Sequence, residues 1–218
     1  MADEVGIGIV GYGLMGRAHA YGYTIAPRVR DLPVVPRLQS ISGRDEGAVA
    51  AAAGRYGVAT WTTDWRELVA RDDVEIVDVC TPPGTHAEIV EASLGAGKAV
   101  LCEKPLAVDY ASARRVADLA ERTNRPNAVG FNYRRLPAVS LLKELVAEGA
   151  IGEVRLWRAS WLSDEFLDPD VPFDWRFDEE LSFDRGADRV PVEQAGARCG
   201  GHQVERRGLA HAAAVVMR

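Results

Sequence analysis

Three glycines and one lysine are the residues from which chemistry can first be read. Gly11, Gly13 and Gly16 stand as G-x-G-x-x-G directly after the alternating run Val5, Ile7, Ile9 and Val10, with helix-compatible sequence from Arg17 onward. In a strand-turn-helix setting Gly11 permits the tight turn, Gly13 lets backbone approach a pyrophosphate, and Gly16 lets the helix pack on the strand. The helix opening at Leu14 and Met15 would then face the phosphates with unpaired N–H groups and a partial positive charge. This spacing predicts a dinucleotide site at Gly11, Gly13, Leu14, Met15 and Gly16. A glycine-rich turn without a ligand is the plainer alternative.

Lys104 is one of only three lysines in the chain, and it falls between the apolar run Ala99 to Cys102 and Pro105. Downstream of a dinucleotide loop, a lysine at a strand end could polarise a carbonyl or alkoxide oxygen during hydride transfer. A surface lysine at a strand end is the ordinary reading of any single Lys. A third position concerns the cofactor's ribose. The second strand ends in Ser42-Gly43-Arg44-Asp45, where an acidic residue would hydrogen-bond the ribose of NAD. With glycine in its place and Ser42 and Arg44 beside it, a 2′-phosphate fits, which leans the choice between NAD and NADP toward NADP. Arg44 as a solvated loop arginine, with Asp45 capping the next helix, carries nearly equal weight.

The elements that must position these residues alternate at short spacing. Residues 17–23 continue the first helix, and Pro27, Pro33 and Pro36 predict an irregular stretch over 27–37. Strands are expected at 38–42, 58–61, 74–80, 99–102 and 129–132. Helices are expected at 46–56, from Asp64 to Ala70, from a Thr85 capping box to Ala96, from Asp109 to about Thr123, and from Pro137 to Gly149. This alternation predicts an α/β fold, a Rossmann-type parallel sheet covered on both faces. A further strand at 154–162, with Trp157, Ala159 and Trp161 on one face, opens an incomplete second α/β domain. The expected division is 1–133 for the dinucleotide domain, 134–181 for the start of a substrate or oligomerisation domain, and 182–218 for a divergent tail.

The chain has 218 residues, nearly half of them hydrophobic, and a formal net charge of −6. That charge leaves no basic footprint for nucleic acid and nothing to hold an anionic membrane. No apolar run reaches spanning length, and the acidic opening Met1-Ala2-Asp3-Glu4 leaves no room for a leader, so a soluble, cytoplasmic protein is expected. Cys80, Cys102 and Cys199 lack metal-ligand spacing and read as reduced thiols; no metal is expected.

Three segments carry a resemblance to a known family: GIVGYGLMGRAHA at 8–20, VDVCTPPGTHAEIVEASLGAGKAVLCEKPLA at 77–107, and VGFNYRRLPAV at 129–139. A weaker match is DPDVPFDWRFD at 168–178. The chain resembles the Gfo/Idh/MocA oxidoreductases up to about Leu181. The resemblance implies a Rossmann domain followed by an open, mostly antiparallel sheet, oxidation or reduction of sugars, polyols or related small molecules, and homo-oligomers among full-length relatives. It implies Lys104 as the catalytic lysine, Thr81, Pro82 and His86 as the wall on the nicotinamide side, and Glu103 as a cofactor contact. Asn132 and Arg134 would line the substrate end, with Trp175 and Arg176 as weaker candidates. His86 read locally could equally be a helix N-terminal residue bonded to a neighbouring loop.

The family follows its W-R-F/L segment with a glycine cluster and D-x-x-x-H. Here the later histidines, His202 and His211, are preceded at that spacing by Arg198 and Arg207. The segment from Ser182 to Arg218 is therefore expected to be non-native family sequence, most simply from a frameshift, with a natural short paralogue as the competing explanation. Poor solubility or partial disorder is expected beyond about residue 165. A nucleotide-binding protein without turnover is the alternative function.

Overall fold

The first strand is built from residues that alternate in size and side. In β1 (Asp3–Val10), Ile7 and Ile9 face one side of the sheet and Val10 the other, and all three are buried. A computed structural model describes residues 3–160. Its strands β2 (Val34–Ser42), β3 (Thr60–Thr62), β4 (Ile76–Val79), β5 (Ala99–Cys102) and β6 (Asn127–Val129) join β1 in one parallel sheet of order β3-β2-β1-β4-β5-β6. The order reverses between β1 and β4, so the ends of these two strands flank the crevice where such sheets take ligands. The Rossmann-type parallel sheet is thus present.

Helices cover both faces. Ile7, Ile9, Ile41 and Cys80 meet Ala20 of α1 (Leu14–Val29) and Val49, Ala52 and Ala53 of α2 (Glu46–Tyr56). On the other face Val10, Val77, Val79 and Val100 meet α3 (Trp65–Ala70), α4 (His86–Gly95) and α5 (Tyr110–Thr123) through Leu68, Ile89, Leu94 and Val116. Such alternation along a strand buried on both faces is the period-2 geometry of a parallel sheet.

Several boundaries differ from the sequence expectation. Residues 27–37 are not an irregular insertion: α1 runs through Pro27 to Val29, and β2 starts at Val34 and includes Pro36. β2 pairs with β3 only from Ser40 onward, so Pro36 sits where the outer side of β2 has no ladder to break. Thr85 forms no capping box. It closes a short 3-10 turn at Pro83–Thr85, and its hydroxyl bonds Thr81 Oγ1 at 2.7 Å and the Pro82 carbonyl at 3.0 Å. Glu88, the presumed reciprocal cap, pairs with Arg66 instead. β3 begins two residues late, β4 is confined to Ile76–Val79, and β6 ends at Val129, with Asn132 entering a 3-10 turn (Asn132–Arg135).

The chain divides into units at Gly130/Phe131. Among the described residues the second unit holds that turn and α6 (Pro137–Ala147). The expected strand at 154–162 is absent over its described part: residues 153–160 take no regular structure. A strand needs a paired backbone, and no described segment offers 154–160 one. Trp161 and Leu162 lie outside the described residues. Among the described residues no helix is long and apolar enough to cross a membrane.

Candidate functional site

The loop after β1 has the backbone its glycines require. Gly11 has φ 104°, and a Cβ there would come within 2.7 Å of the Cys80 carbonyl oxygen. A Cβ on Gly16 would collide with the Gly11 carbonyl, so the close approach of helix and loop depends on its absence. Gly13 is the N-cap of α1, with open space where a Cβ would stand. No side chain caps the helix and no acidic residue lies in its first turn, which leaves its opening N–H groups for another acceptor. Leu14 is exposed, whereas Met15 packs toward the core.

A row of hydrogen bonds levels the strand ends. Gly11 N–H donates to the Ser42 carbonyl (2.8 Å), Cys80 N–H to Val10 (2.8 Å), Glu103 N–H to Val79 (2.9 Å) and Gly130 N–H to Cys102 (2.7 Å). The loops at Gly11, Thr81 and Lys104 therefore leave the sheet side by side on one edge. Thr81 and Pro82 are half-buried, and Lys104 is exposed and joined to Pro105 by a cis peptide. His86 is fully buried, with Nδ1 2.7 Å from the Pro105 carbonyl and Nε2 2.7 Å from the Thr81 carbonyl. It braces the two loops from beneath, in keeping with the local reading, and its ring does not reach the crevice surface.

At the end of β2 Ser42 is buried, and Arg44 just beyond it is exposed. Asp45 Oδ1 accepts the Ala48 N–H at 2.7 Å, so this carboxylate caps α2. Gly43 lies against the Tyr12 ring, which a Cβ would strike. Asn132 and Arg134 lie exposed on the 3-10 turn of the second unit. Trp175 and Arg176 lie outside the described residues, as do the histidines of the tail.

Sequence reasoning missed the charged cluster below this edge. Asp78 projects from β4 toward the α1 face and is fully buried. His19 of α1 places Nδ1 at 2.8 and 3.1 Å from its two oxygens, and Nε2 at 3.2 Å from Glu103 Oε1. Cys80 Sγ lies 3.4 Å from His19 Nδ1 and from Asp78 Oδ1. The Asp78 hydrogen bond first, then those of Cys80 and Glu103, push the His19 imidazole up to about 12 against the effect of burial. Burial works to raise the Glu103 carboxyl, but its bonds with His19 and the Lys104 N–H hold it below the usual carboxylate range. Burial pushes the Cys80 thiol up to about 12, and the Cys102 thiol is raised for the same reason. The available signal was Asp78 itself: an acid inside the apolar run VEIVDVC needs a buried partner.

Comparison with known proteins agrees with this geometry. The Gfo/Idh/MocA model, described as an oxidoreductase family with an NAD-binding Rossmann fold, matches residues 5–131. Levoglucosan dehydrogenase of Pseudarthrobacter phenanthrenivorans is 37% identical over 83% of this chain and 46% of its own. Inositol 2-dehydrogenase of Rhizobium meliloti is 33% identical over 70% of this chain and 43% of its own. An oxidoreductase domain protein from Kribbella flavida superposes with TM-score 0.80 at 49% identity, over 83% of this chain and 49% of the other. A levoglucosan dehydrogenase in complex with NADH gives TM-score 0.80 at 37% identity, with the same coverage of 83% and 49%. The chain spans about half the length of the curated relatives it matches.

Proposed function

The chain belongs to the Gfo/Idh/MocA oxidoreductases with their NAD-binding Rossmann fold, and from that membership we propose that it serves hydride transfer between a nicotinamide dinucleotide and a sugar, polyol or related hydroxyl or carbonyl compound. The observation that carries this reading is the shared edge: the uncapped start of α1 and the Lys104 loop leave the same ends of β1 and β5, with only β4 between them. The loop fits the cofactor, since Gly13 leaves open space at the helix start, while Gly11 and Gly16 permit the tight backbone that a Cβ at either would disrupt.

When bound, the dinucleotide supplies nicotinamide C4 as hydride acceptor or donor. The amides from Gly13 to Gly16, with Leu14 and Met15 between them, hold the pyrophosphate, and Thr81, Pro82 and Glu103 border the nicotinamide end. His86 acts through the two carbonyls it holds. In oxidation the Lys104 amine accepts the hydroxyl proton as hydride leaves the same carbon; in reduction its ammonium returns that proton. Asn132 and Arg134, with Trp175 and Arg176, serve the substrate end. Exposed Arg44 beside Gly43 favours the 2′-phosphate of NADP, whereas the similar levoglucosan dehydrogenase structure holds NADH.

Titrating the chain with NADH and NADPH by nicotinamide fluorescence tests the site, with tighter NADPH binding expected and the preference erased in Arg44→Ala. The reverse order assigns NAD. Oxidation of levoglucosan and inositol, the compounds in the relatives' names, tests turnover, with Lys104→Ala expected to lose about 100-fold or more. The second reading, binding without turnover, is favoured by Arg198 and Arg207 at the spacing where the family's aspartate would stand. Binding with no turnover, and no effect of Lys104→Ala, would establish it.

A further inference from the structure

A buried carboxylate, a histidine on the first helix and the residue before Lys104 form one connected chain of hydrogen bonds. Asp78, on the sheet face that α1 covers, takes hydrogen bonds from His19 and Cys80. The other nitrogen of His19 meets Glu103, and Glu103 Oε2 accepts the N–H of Lys104 at 3.2 Å. Carboxylates only accept, so a ring with a carboxylate at each nitrogen carries both N–H groups. On the far side a Cβ at Gly130 would come within 2.6 Å of Glu103 Oε1, so the absence of a side chain there leaves room for the carboxylate.

We propose that His19 is a positioning residue: its ring, held between Asp78 and Glu103, fixes the Glu103-Lys104 step against the helix that begins in the glycine-rich loop. The inference rests on the reading of Lys104 as the group that handles the substrate proton. It goes beyond that reading by tying the lysine's main chain to the helix that receives the nucleotide. The first turn of α1 faces the phosphates, and its second turn carries His19. A shift of the helix on loading is thereby passed to Lys104 through two hydrogen bonds. His19, Asp78 and Cys80 also have donor types that suit a metal ion, with their ligand atoms within 4.8 Å of one another. The 2.8 Å contact between Nδ1 and Asp78 Oδ2 has the length of a direct hydrogen bond, however.

The three lysines, Lys98, Lys104 and Lys143, allow a direct test. Reductive methylation of the full chain with labelled formaldehyde gives each a separate NMR signal, and loss of one signal in Lys104→Arg assigns it. His19→Gln keeps a donor near the place of Nε2, facing Glu103; His19→Asn keeps one near the place of Nδ1, facing Asp78 alone. The Lys104 signal is expected to shift in His19→Asn and to stay near its wild-type position in His19→Gln, with Lys98 and Lys143 unmoved in both. A Lys104 signal that stays put in both variants, or shifts equally in both, overturns the proposal. Should neither variant fold, the imidazole nitrogen spectrum of the wild-type chain decides. At about pH 8 both nitrogens of His19 are expected to carry protons, where an ordinary histidine is neutral; a neutral ring or stoichiometric bound zinc overturns it. All readings are taken without nucleotide or substrate. A failure here therefore leaves the chemistry of Lys104 to be judged by the turnover of Lys104→Ala.

Discussion

Gly16 and Gly43 both exclude a side chain, against neighbours of different kinds. At Gly16 the obstacle is the Gly11 carbonyl, part of the backbone that shapes the loop; at Gly43 it is the Tyr12 ring, which can turn aside. Gly16→Ala should therefore cost about 1–3 kcal/mol and abolish nucleotide binding, while Gly43→Ala costs less and retains it. Denaturant unfolding and fluorescence titration of the two variants check the order. His19 gives a pH prediction. Its folded value is raised from 6.5 to about 12, so the stability it contributes is full below about 6.5 and falls away as pH rises toward 12. Thermal unfolding of the wild type across alkaline pH should show this decline, and His19→Gln should lack that component. The glycine motif was legible because its meaning is local, contained in six consecutive residues. His19 was not, since Asp78 lies 59 positions away and only the packing of α1 on β4 brings them together.

Elements declare themselves where a polar side chain or a glycine serves the backbone. Asp45, Asp64 and Asp109 each accept an N–H in the first turn of the helix that follows, and Gly57 ends α2 at φ 68°. Asp45→Ala should thus cost about 1 kcal/mol in unfolding free energy. Gly57→Ala should cost a similar amount, about 1 kcal/mol, from its left-handed backbone alone, because a Cβ there meets nothing within 4 Å. The misread elements are those where packing outweighs a local signal. Pro27 stays within a helix anchored by buried Gly16 and Ala20, and Pro36 occupies an unpaired side of its strand. Thr85 carries the letters of a capping box, but a 3-10 turn takes its hydroxyl first. Residues 154–160 have strand-like composition, yet pairing depends on backbone from elsewhere, which composition does not reveal.

Across the described molecule, burial is confined to the first unit. Both core clusters lie between β1 and α5, whereas no residue from 131 to 160 is buried, and Phe131, Leu136, Leu141, Ile151, Leu156 and Trp157 stand exposed. Because one sheet separates the two cores, Ile41→Ala on one face and Leu68→Ala on the other should each remove about 2–5 kcal/mol from the same unfolding transition. The uneven burial also dictates where a protease enters. Cleavage follows local opening, and segments with few buried contacts open most cheaply. Trypsin has arginines in both units, but those of the first lie on or beside elements packed against a core. Arg134, Arg135, Arg155 and Arg158 lie where nothing is buried. Limited digestion of the full chain should cut first in this second set and leave a fragment ending near Arg134 or Arg135. With the glycine loop, Asp78, His19 and Lys104 all inside it, that fragment should bind the dinucleotide as tightly as the intact chain. Mass spectrometry locates the cuts and fluorescence titration reads the affinity. Early cleavage between α1 and β2, around Arg30, would mean that the sheet's outer strands are held less firmly than the two cores imply.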